Sequence, residues 1–238
     1  MSKALLTYII LCISYLAIGQ DKVIYDANAE KRTVDAFHTV RVEDGIDLFI
    51  TQSADAGVVV SANEIEHRNK IKTVVENGVL RIYFDNHMMG WNWKGRKLKA
   101  YIAIKALREI RASGGSDVMV TGSLNSENLV LKLSGGSDFN GEVSVTNLTI
   151  DQSGGSDTRI RGKAVNVKVE ASGGSDFNGF DLTAEYAIIK ASGGSDADVT
   201  VTKELAAEAS GGSDVSFKGN PQVKYRSASG GSSVKSRG

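Results

Sequence analysis

One five-residue phrase limits the folds open to this chain more than any other feature. "SGGSD" begins at Ser113, Ser134, Ser153, Ser172, Ser192 and Ser210, and a variant, "SGGSS", begins at Ser229. Successive copies are 21, 19, 19, 20, 18 and 19 residues apart. Flexible Gly/Ser linkers have no reason to keep a pitch. A solenoid of stacked coils does, because each coil must return to the same place.

The segments between the phrases carry a strand pattern. Leu129, Leu131 and Leu133 alternate with Val130 and Lys132, and Val165, Val167, Val169 and Ala171 alternate with Asn166, Lys168 and Glu170. Period two puts one face in and one out. The residue before each phrase is Ala112, Leu133, Gln152, Ala171, Ala191, Ala209 or Ala228, and the residue after it is Val118, Phe139, Thr158, Phe177, Ala197, Val215 or Val234. Both columns read as inward. One step further back stand Arg111, Lys132, Asp151, Glu170, Lys190, Glu208 and Ser227, which read as outward.

A coil this short cannot bury its apolar face alone, but stacked parallel at about 4.8 Å the coils close a continuous core. The handedness rule for parallel crossovers favours a right-handed turn. The expected fold class is therefore all-β: a right-handed parallel β-helix, or β-solenoid, of about seven short coils over residues 113–238. Residues 20–112 are expected to form a β-rich N-terminal cap and the first irregular coils, with 20–238 as one continuous domain.

In that fold the phrase is a corner. Paired glycines allow positive φ at a tight turn, and stacked corners leave no room for side chains between coils. Serine hydroxyls can satisfy the turn's amides or stack on one another. The aspartates Asp117, Asp138, Asp157, Asp176, Asp196 and Asp214 then form a ladder that ends at Ser233. Like charges about 4.8 Å apart repel by about 0.9 kcal/mol in water and about 3.5 at an effective dielectric of 20. Two offsets are open: hydrogen bonds from each turn's own amides or serine, or a calcium ion bridging neighbouring coils. A calcium site wants several converging carboxylates, and each coil offers one.

The N-terminal half is also β-rich. "ENG" between alternating runs predicts a hairpin turn at Asn77 and Gly78, and "VEDGIDLFI" holds another turn or a bulge at Gly45. The loop "NHMMGWNWKGRK" sets Trp91 and Trp93 beside Lys94, Arg96 and Lys97. These residues can stack on a sugar or grip a partner surface, or the tryptophans can fold back and plug the solenoid end.

The first residues, "MSKALLTYIILCISYLAIGQ", place Lys3 before an apolar run and small residues at Ala17 and Gly19. That reads as a secretory signal peptide over residues 1–19, its apolar run shorter than the roughly 20 residues a membrane anchor needs. Its removal takes away Cys12, the only cysteine, and with it all disulfide and thiol chemistry. The expected product is exported to the periplasm, outer-membrane surface or outside, with no membrane span. Lys and Arg number 28 and so do Asp and Glu, which gives no global electrostatic case for nucleic acid.

Catalytic signals are weak. His38, His67 and His87 precede the repeats without metal-ligand spacing, so no nucleophilic triad can be built in the solenoid. Asp196 and Asp198 are the one near-pair of carboxylates in the phrases, which leaves a polysaccharide lyase or glycosidase as the enzymatic alternative. No catalytic residue and no cofactor is expected.

"FHTVRVEDGIDLFITQ", "VVENGVLRIYF" and "KLKAYIAIKALREIRASGGSD", in that order and followed by SGGSD coils, resemble the exported bacterial family called putative auto-transporter adhesin, head GIN domain. The likeness spans about Thr33 to Ser233. It implies a right-handed β-helix in an exported protein and carries no catalytic residues. The sequence around Cys12 lacks a lipobox, which puts lipid anchoring in doubt. The resulting expectation is a non-catalytic binding or adhesion module for a glycan or a cell-envelope partner.

Overall fold

Short strands make up the N-terminal part: β1 (Glu30–Arg32), β2 (Thr39–Val42), β3 (Asp47–Gln52) and β4 (Gly57–Ser61), then helix α1 (Ile65–Lys70), β5 (Ile71–Glu76), β6 (Val79–Phe84), β7 (Lys99–Ile104) and β8 (Glu109–Ala112). Long strands follow, each running from one SGGSD corner to the next: β9 (Val118–Leu133), β10 (Phe139–Ser153), β11 (Asp157–Ser172), β12 (Asp176–Ser192) and β13 (Asp196–Gly211). The last coil is split into β14 (Asp214–Lys218), β15 (Gln222–Gly230) and β16 (Ser233–Ser236). This computed structural model describes residues 26–85 and 95–237. The expected signal peptide and Trp91, Trp93 and Lys94 lie outside the described residues.

From β9 upward the strands pair in parallel, each with its sequence neighbour. This is the expected all-β solenoid of stacked coils. Below β9 the order of stacking departs from the order of the chain. β8 and β9 lie on β2 and β3, which in turn lie in parallel on β6 and β7. The coil β2–β3 therefore sits above β6–β7, although it comes earlier in sequence. Antiparallel strands close the base, with β5 on β6, β4 on β7 and β1 on β4. Asn77 (φ 51°) and Gly78 (φ 75°) make the two-residue turn between β5 and β6, as "ENG" predicts.

The N-terminal half is more regular than its sequence suggests. Val42 pairs with Ala112 and Leu48 with Val118, which lays "EDGID", residues 43–47, directly beneath the first "SGGSD". The backbone matches: φ is 65° at Asp44 and 70° at Gly45, against 68° at Gly114 and 74° at Gly115. Aspartate is among the few side chains that tolerate this left-handed region, so it stands in for the first glycine. The segment read as a turn or bulge is the first corner of the solenoid.

Between β9 and β13 every register shift lies beyond the corner, on the way to the opposite bend. The 21-residue step places two extra residues on β9 between Met119 and Ser123, and the 20-residue step places one on β12 between Asn178 and Asp181. The residues flanking each corner stay paired, Val118 with Phe139 and Ser153 with Ser172 for example.

Both inward columns are buried as the pattern predicts up to the last coil, where Ala228, with no coil above among the described residues to cover that strand, is exposed. Their two polar members, Gln152 and Thr158, flank the same phrase. Thr158 Oγ1 donates to Gln152 Oε1 at 2.7 Å, which offsets part of the burial penalty, while Gln152 Nε2 stays buried without a hydrogen-bond partner among the described residues.

Candidate functional site

The two serines of the phrase have different tasks. The second, at Ser116, Ser137, Ser156, Ser175, Ser195 and Ser213, is fully buried. In the upper coils its Oγ accepts the amide of the first serine, at 3.1 Å in both Ser192–Ser195 and Ser210–Ser213. The same hydroxyl faces the Ser192 carbonyl at 2.8 Å and the Ala171 carbonyl of the coil below at 3.0 Å, and its one proton can serve either. At the base the bonds run between coils instead. The Ile46 amide donates to Ser116 Oγ and the Ser116 amide to Ser137 Oγ, both at 3.1 Å.

The first serine is different. Ser113, Ser134, Ser153, Ser172, Ser192 and Ser210 are half-buried, and among the described residues their hydroxyls have no hydrogen-bond partner. They line one wall of a groove of about 670 Å³ that runs up the solenoid from Arg41 to Ser210. The other wall is the outward column Arg41, Arg111, Lys132, Asp151, Glu170, Lys190 and Glu208. The outcome is a straight track of free hydroxyls beside a column of charges, repeated at the coil spacing.

The aspartates form the expected ladder, held in a way the sequence did not indicate. The amides of Asp138, Asp157, Asp176, Asp196 and Asp214 donate to Oδ1 of the aspartate one coil below, at 3.4, 3.1, 3.4, 3.3 and 3.0 Å. The partner is the neighbouring coil's amide, whereas the turn's own groups were expected. Each carboxylate thus ties two coils together, an interaction to a charged acceptor that offsets the repulsion along the column. At the top the Ser233 hydroxyl donates to Asp214 Oδ1 at 2.6 Å, so the break in the phrase is the ladder's end cap.

At the base the ladder gains a member, Asp47, next to Lys99. Burial and the charge of Asp117 push the Asp47 carboxyl above its ordinary range, against Lys99. Burial also raises Asp117, together with the charge of Asp138 and against the Asp138 amide bond. Asp214 goes the other way, lowered mainly by the Ser233 hydroxyl. Among the described residues no three His, Cys, Asp or Glu side chains are grouped to hold a metal ion. The carboxylates stand in single file, one per coil, with Oδ1 already engaged.

The coil β6–β7 lacks the four-residue corner. Ile82 and Lys99 are in register with Val42 and Asp47, so the long connection carrying Trp91 and Trp93 leaves and re-enters where every other coil has four residues. Of the cations expected to flank the tryptophans, Lys97 is exposed, but Arg96 is buried with its guanidinium 4.7 Å from the Phe84 ring. Arg96 is directed into the cap because the Phe84 face offers it a cation–π contact, and it is unavailable to a surface ligand.

The carboxylate near-pair has a modest asymmetry. Burial raises Asp198, against a hydrogen bond from Ser216, while Asp196 is engaged with the Asp214 amide. At the opposite bend the structure shows a ladder that sequence reading missed: Asn166 Nδ2 donates to Asn147 Oδ1 at 2.8 Å, and Asn147 Nδ2 to Asn128 Oδ1 at 2.9 Å. Their spacing of 19 residues was the signal that would have found it.

The same architecture occurs in solved structures. A putative adhesin from Bacteroides fragilis superposes with a TM-score of 0.81 at 20% identity, covering 88% of this chain and 96% of its own. A putative adhesin from Parabacteroides distasonis gives 0.68 at 22% identity, covering 87% and 95%. A putative lipid binding protein from the same species gives 0.67 at 18%, covering 88% and 96%. At these identities the likeness is one of fold. No curated protein matches the sequence. A family model matches residues 36–221, most of the chain, and with coils, corners and cap all accounted for, this chain belongs to the family described as "Putative auto-transporter adhesin, head GIN domain".

Proposed function

We propose that this protein is an exported, non-catalytic binding module whose SGGSD edge recognises an extended polar chain, a glycan of the cell surface or its surroundings. The observation that carries this reading is the track of unpartnered outer serine hydroxyls along the groove. A hydroxyl every coil presents donors and acceptors at a pitch close to the repeat of a linear polysaccharide. Nothing in the fold requires those hydroxyls, since the inner serines already satisfy the turn. The family's adhesin description agrees with a surface-binding role. Among the described residues no helix is long and apolar enough to cross a membrane.

The test is a glycan array with the purified protein lacking residues 1–19. Capture is expected, and the triple variant Ser134→Val, Ser153→Val, Ser172→Val should lose it while keeping its thermal midpoint. Trp91→Ala with Trp93→Ala should weaken capture without unfolding the protein, and a large loss of thermal stability would instead favour their packing against the solenoid end. An array with no capture at all overturns the glycan reading. The near-pair Asp196 and Asp198 supports the enzymatic alternative, and incubation with uronate-containing and neutral polysaccharides decides it. No oligosaccharide release is expected, with or without calcium.

A further inference from the structure

The charged wall of the groove is not uniform. Its upper part mixes signs, with Glu170, Lys190 and Glu208 on successive coils. At the base it does not. Arg81, Arg41, Arg111 and Lys132 occupy four consecutive coils of one column. Neighbouring like charges at about 4.8 Å repel by about 0.9 kcal/mol each in water, so such a run is a standing cost at the surface.

Two carboxylates are placed among the four cations. Glu43 accepts from Arg41 and Arg81, both at 2.6 Å, and Glu109 pairs with Arg111 at 2.8 Å and Lys132 at 3.6 Å. The acids lie underneath. Side-chain exposure is 13% for Glu43 and 18% for Glu109, against 45% for Arg41, 50% for Arg81, 42% for Arg111 and 48% for Lys132. Both acids stay ionised, their pKa values lowered by the same cations against the cost of burial. The buried acids hold the cations in place, and along this stretch of the column the four exposed cations outnumber the two acids beneath them. Ser113 and Ser134 stand beside them with free hydroxyls.

We propose that the base of the groove is an anion subsite for a linear acidic polysaccharide, its carboxylates lying on Arg41, Arg111 and Lys132 and its hydroxyls on the outer serines. This rests on the glycan-binding reading above and names the class of glycan. Arginine suits the task, because its planar fork takes a carboxylate through two parallel hydrogen bonds. The column of four spans about 14 Å, three coil steps, which is room for three or four sugar residues. Asp151 and Glu170 follow immediately above and repel further acidic residues, so the subsite is short and bounded.

The test uses three tetrasaccharides against the purified protein by titration calorimetry: tetragalacturonate, its fully methyl-esterified form, and cellotetraose. Tetragalacturonate should bind, weaken as salt rises, and lose at least tenfold on esterification. Arg41→Gln with Arg111→Gln and Lys132→Gln should weaken it at least tenfold, whereas Lys190→Gln should leave it unchanged. Glu43→Gln with Glu109→Gln should tighten it, a gain that misfolding cannot mimic. Equal binding of acid and ester, or indifference to the triple substitution, overturns the subsite. If cellotetraose or another neutral glycan binds and the serine variants lose it, the binding module stands and only the acidic class fails. Equally tight binding of polyphosphate or single-stranded DNA, abolished by the same triple variant, overturns the polysaccharide assignment in favour of a general polyanion site.

Discussion

The SGGSD edge and the opposite bend are built by the same coils, yet they accept change very differently. At the SGGSD edge the first glycine of each pair rests against the backbone of the coil below. A Cβ on Gly193 would lie 3.0 Å from the Gly173 amide nitrogen, and one on Gly211 would lie 2.8 Å from the Gly193 carbonyl oxygen. Between β9 and β13 no insertion enters this edge. The far side takes up every change in coil length between β9 and β13 and carries a shorter ladder, three asparagines that give way to Tyr186 and Glu204. One edge sets the pitch, and the other absorbs what the pitch does not determine.

The sharpest way to break that contrast is to move an insertion from one edge to the other. One alanine added between Gly193 and Gly194 should prevent cooperative folding, whereas one added between Phe180 and Asp181 should cost about 1 kcal/mol or less in urea unfolding, because a far-side loop lengthens cheaply. Within the corner itself two adjacent glycines serve as the control. Gly193 has φ 79° and meets backbone, while Gly194 lies outside the left-handed region and a Cβ there would meet nothing within 4 Å. Gly193→Ala should cost about 3 kcal/mol or more, from strain and a contact that backbone cannot relieve. Gly194→Ala should be within about 0.5 kcal/mol of the parent. If the two substitutions cost the same, stacking does not set the pitch.

The two serines of one corner give the next contrast. Ser195→Ala leaves the part-buried Ser192 amide without its acceptor and should destabilise by about 1–3 kcal/mol. Ser192→Ala removes a hydroxyl with no protein partner and should change stability by about 0.5 kcal/mol at most. The same pair read in a glycan-capture assay should separate once more, with the outer substitution affecting capture at unchanged stability.

Most of the fold was legible because strand period and corner chemistry point the same way at each copy of the phrase. What escaped notice did so for physical reasons. "EDGID" forms the same backbone as "SGGSD" because Asp44 tolerates the left-handed region, so a search for paired glycines passes over it. The stacking of β2–β3 above β6–β7 depends on pairing between distant strands, which local pattern does not encode. The groove follows from the column assignments, but the free outer and bonded inner serines become distinguishable only when the turn's geometry is known. Arg96 read as a surface cation because "GRK" is polar, and its burial comes from Phe84, twelve residues earlier.

The two ends of the aspartate ladder give the smallest and most specific contrast, because their pKa values move in opposite directions. A carboxyl raised in the folded state, as Asp117 is by burial and then Asp138, binds protons more readily folded than unfolded. Stability then falls as pH rises through the window just above the ordinary Asp range, and the penalty persists at neutral pH. Asp117→Asn keeps an oxygen for the Asp138 amide and removes the charge, so it should raise the thermal midpoint at pH 7, with the gain vanishing as acid protonates the parent. Asp214 is lowered by the Ser233 hydroxyl, so its contribution is present above the ordinary range and lost as pH falls through its own lower value. Asp214→Asn should therefore lower the midpoint at pH 7 and match the parent in acid. Shifts of the same sign at both ends would show that the ladder is not governed by burial at its base and hydrogen bonding at its top. Calcium or a chelator should move neither midpoint, since Oδ1 along the ladder already accepts an amide. A calcium-dependent rise abolished by Asp157→Asn would instead make the column a cation site, because a ligand that binds only the folded state must stabilise it.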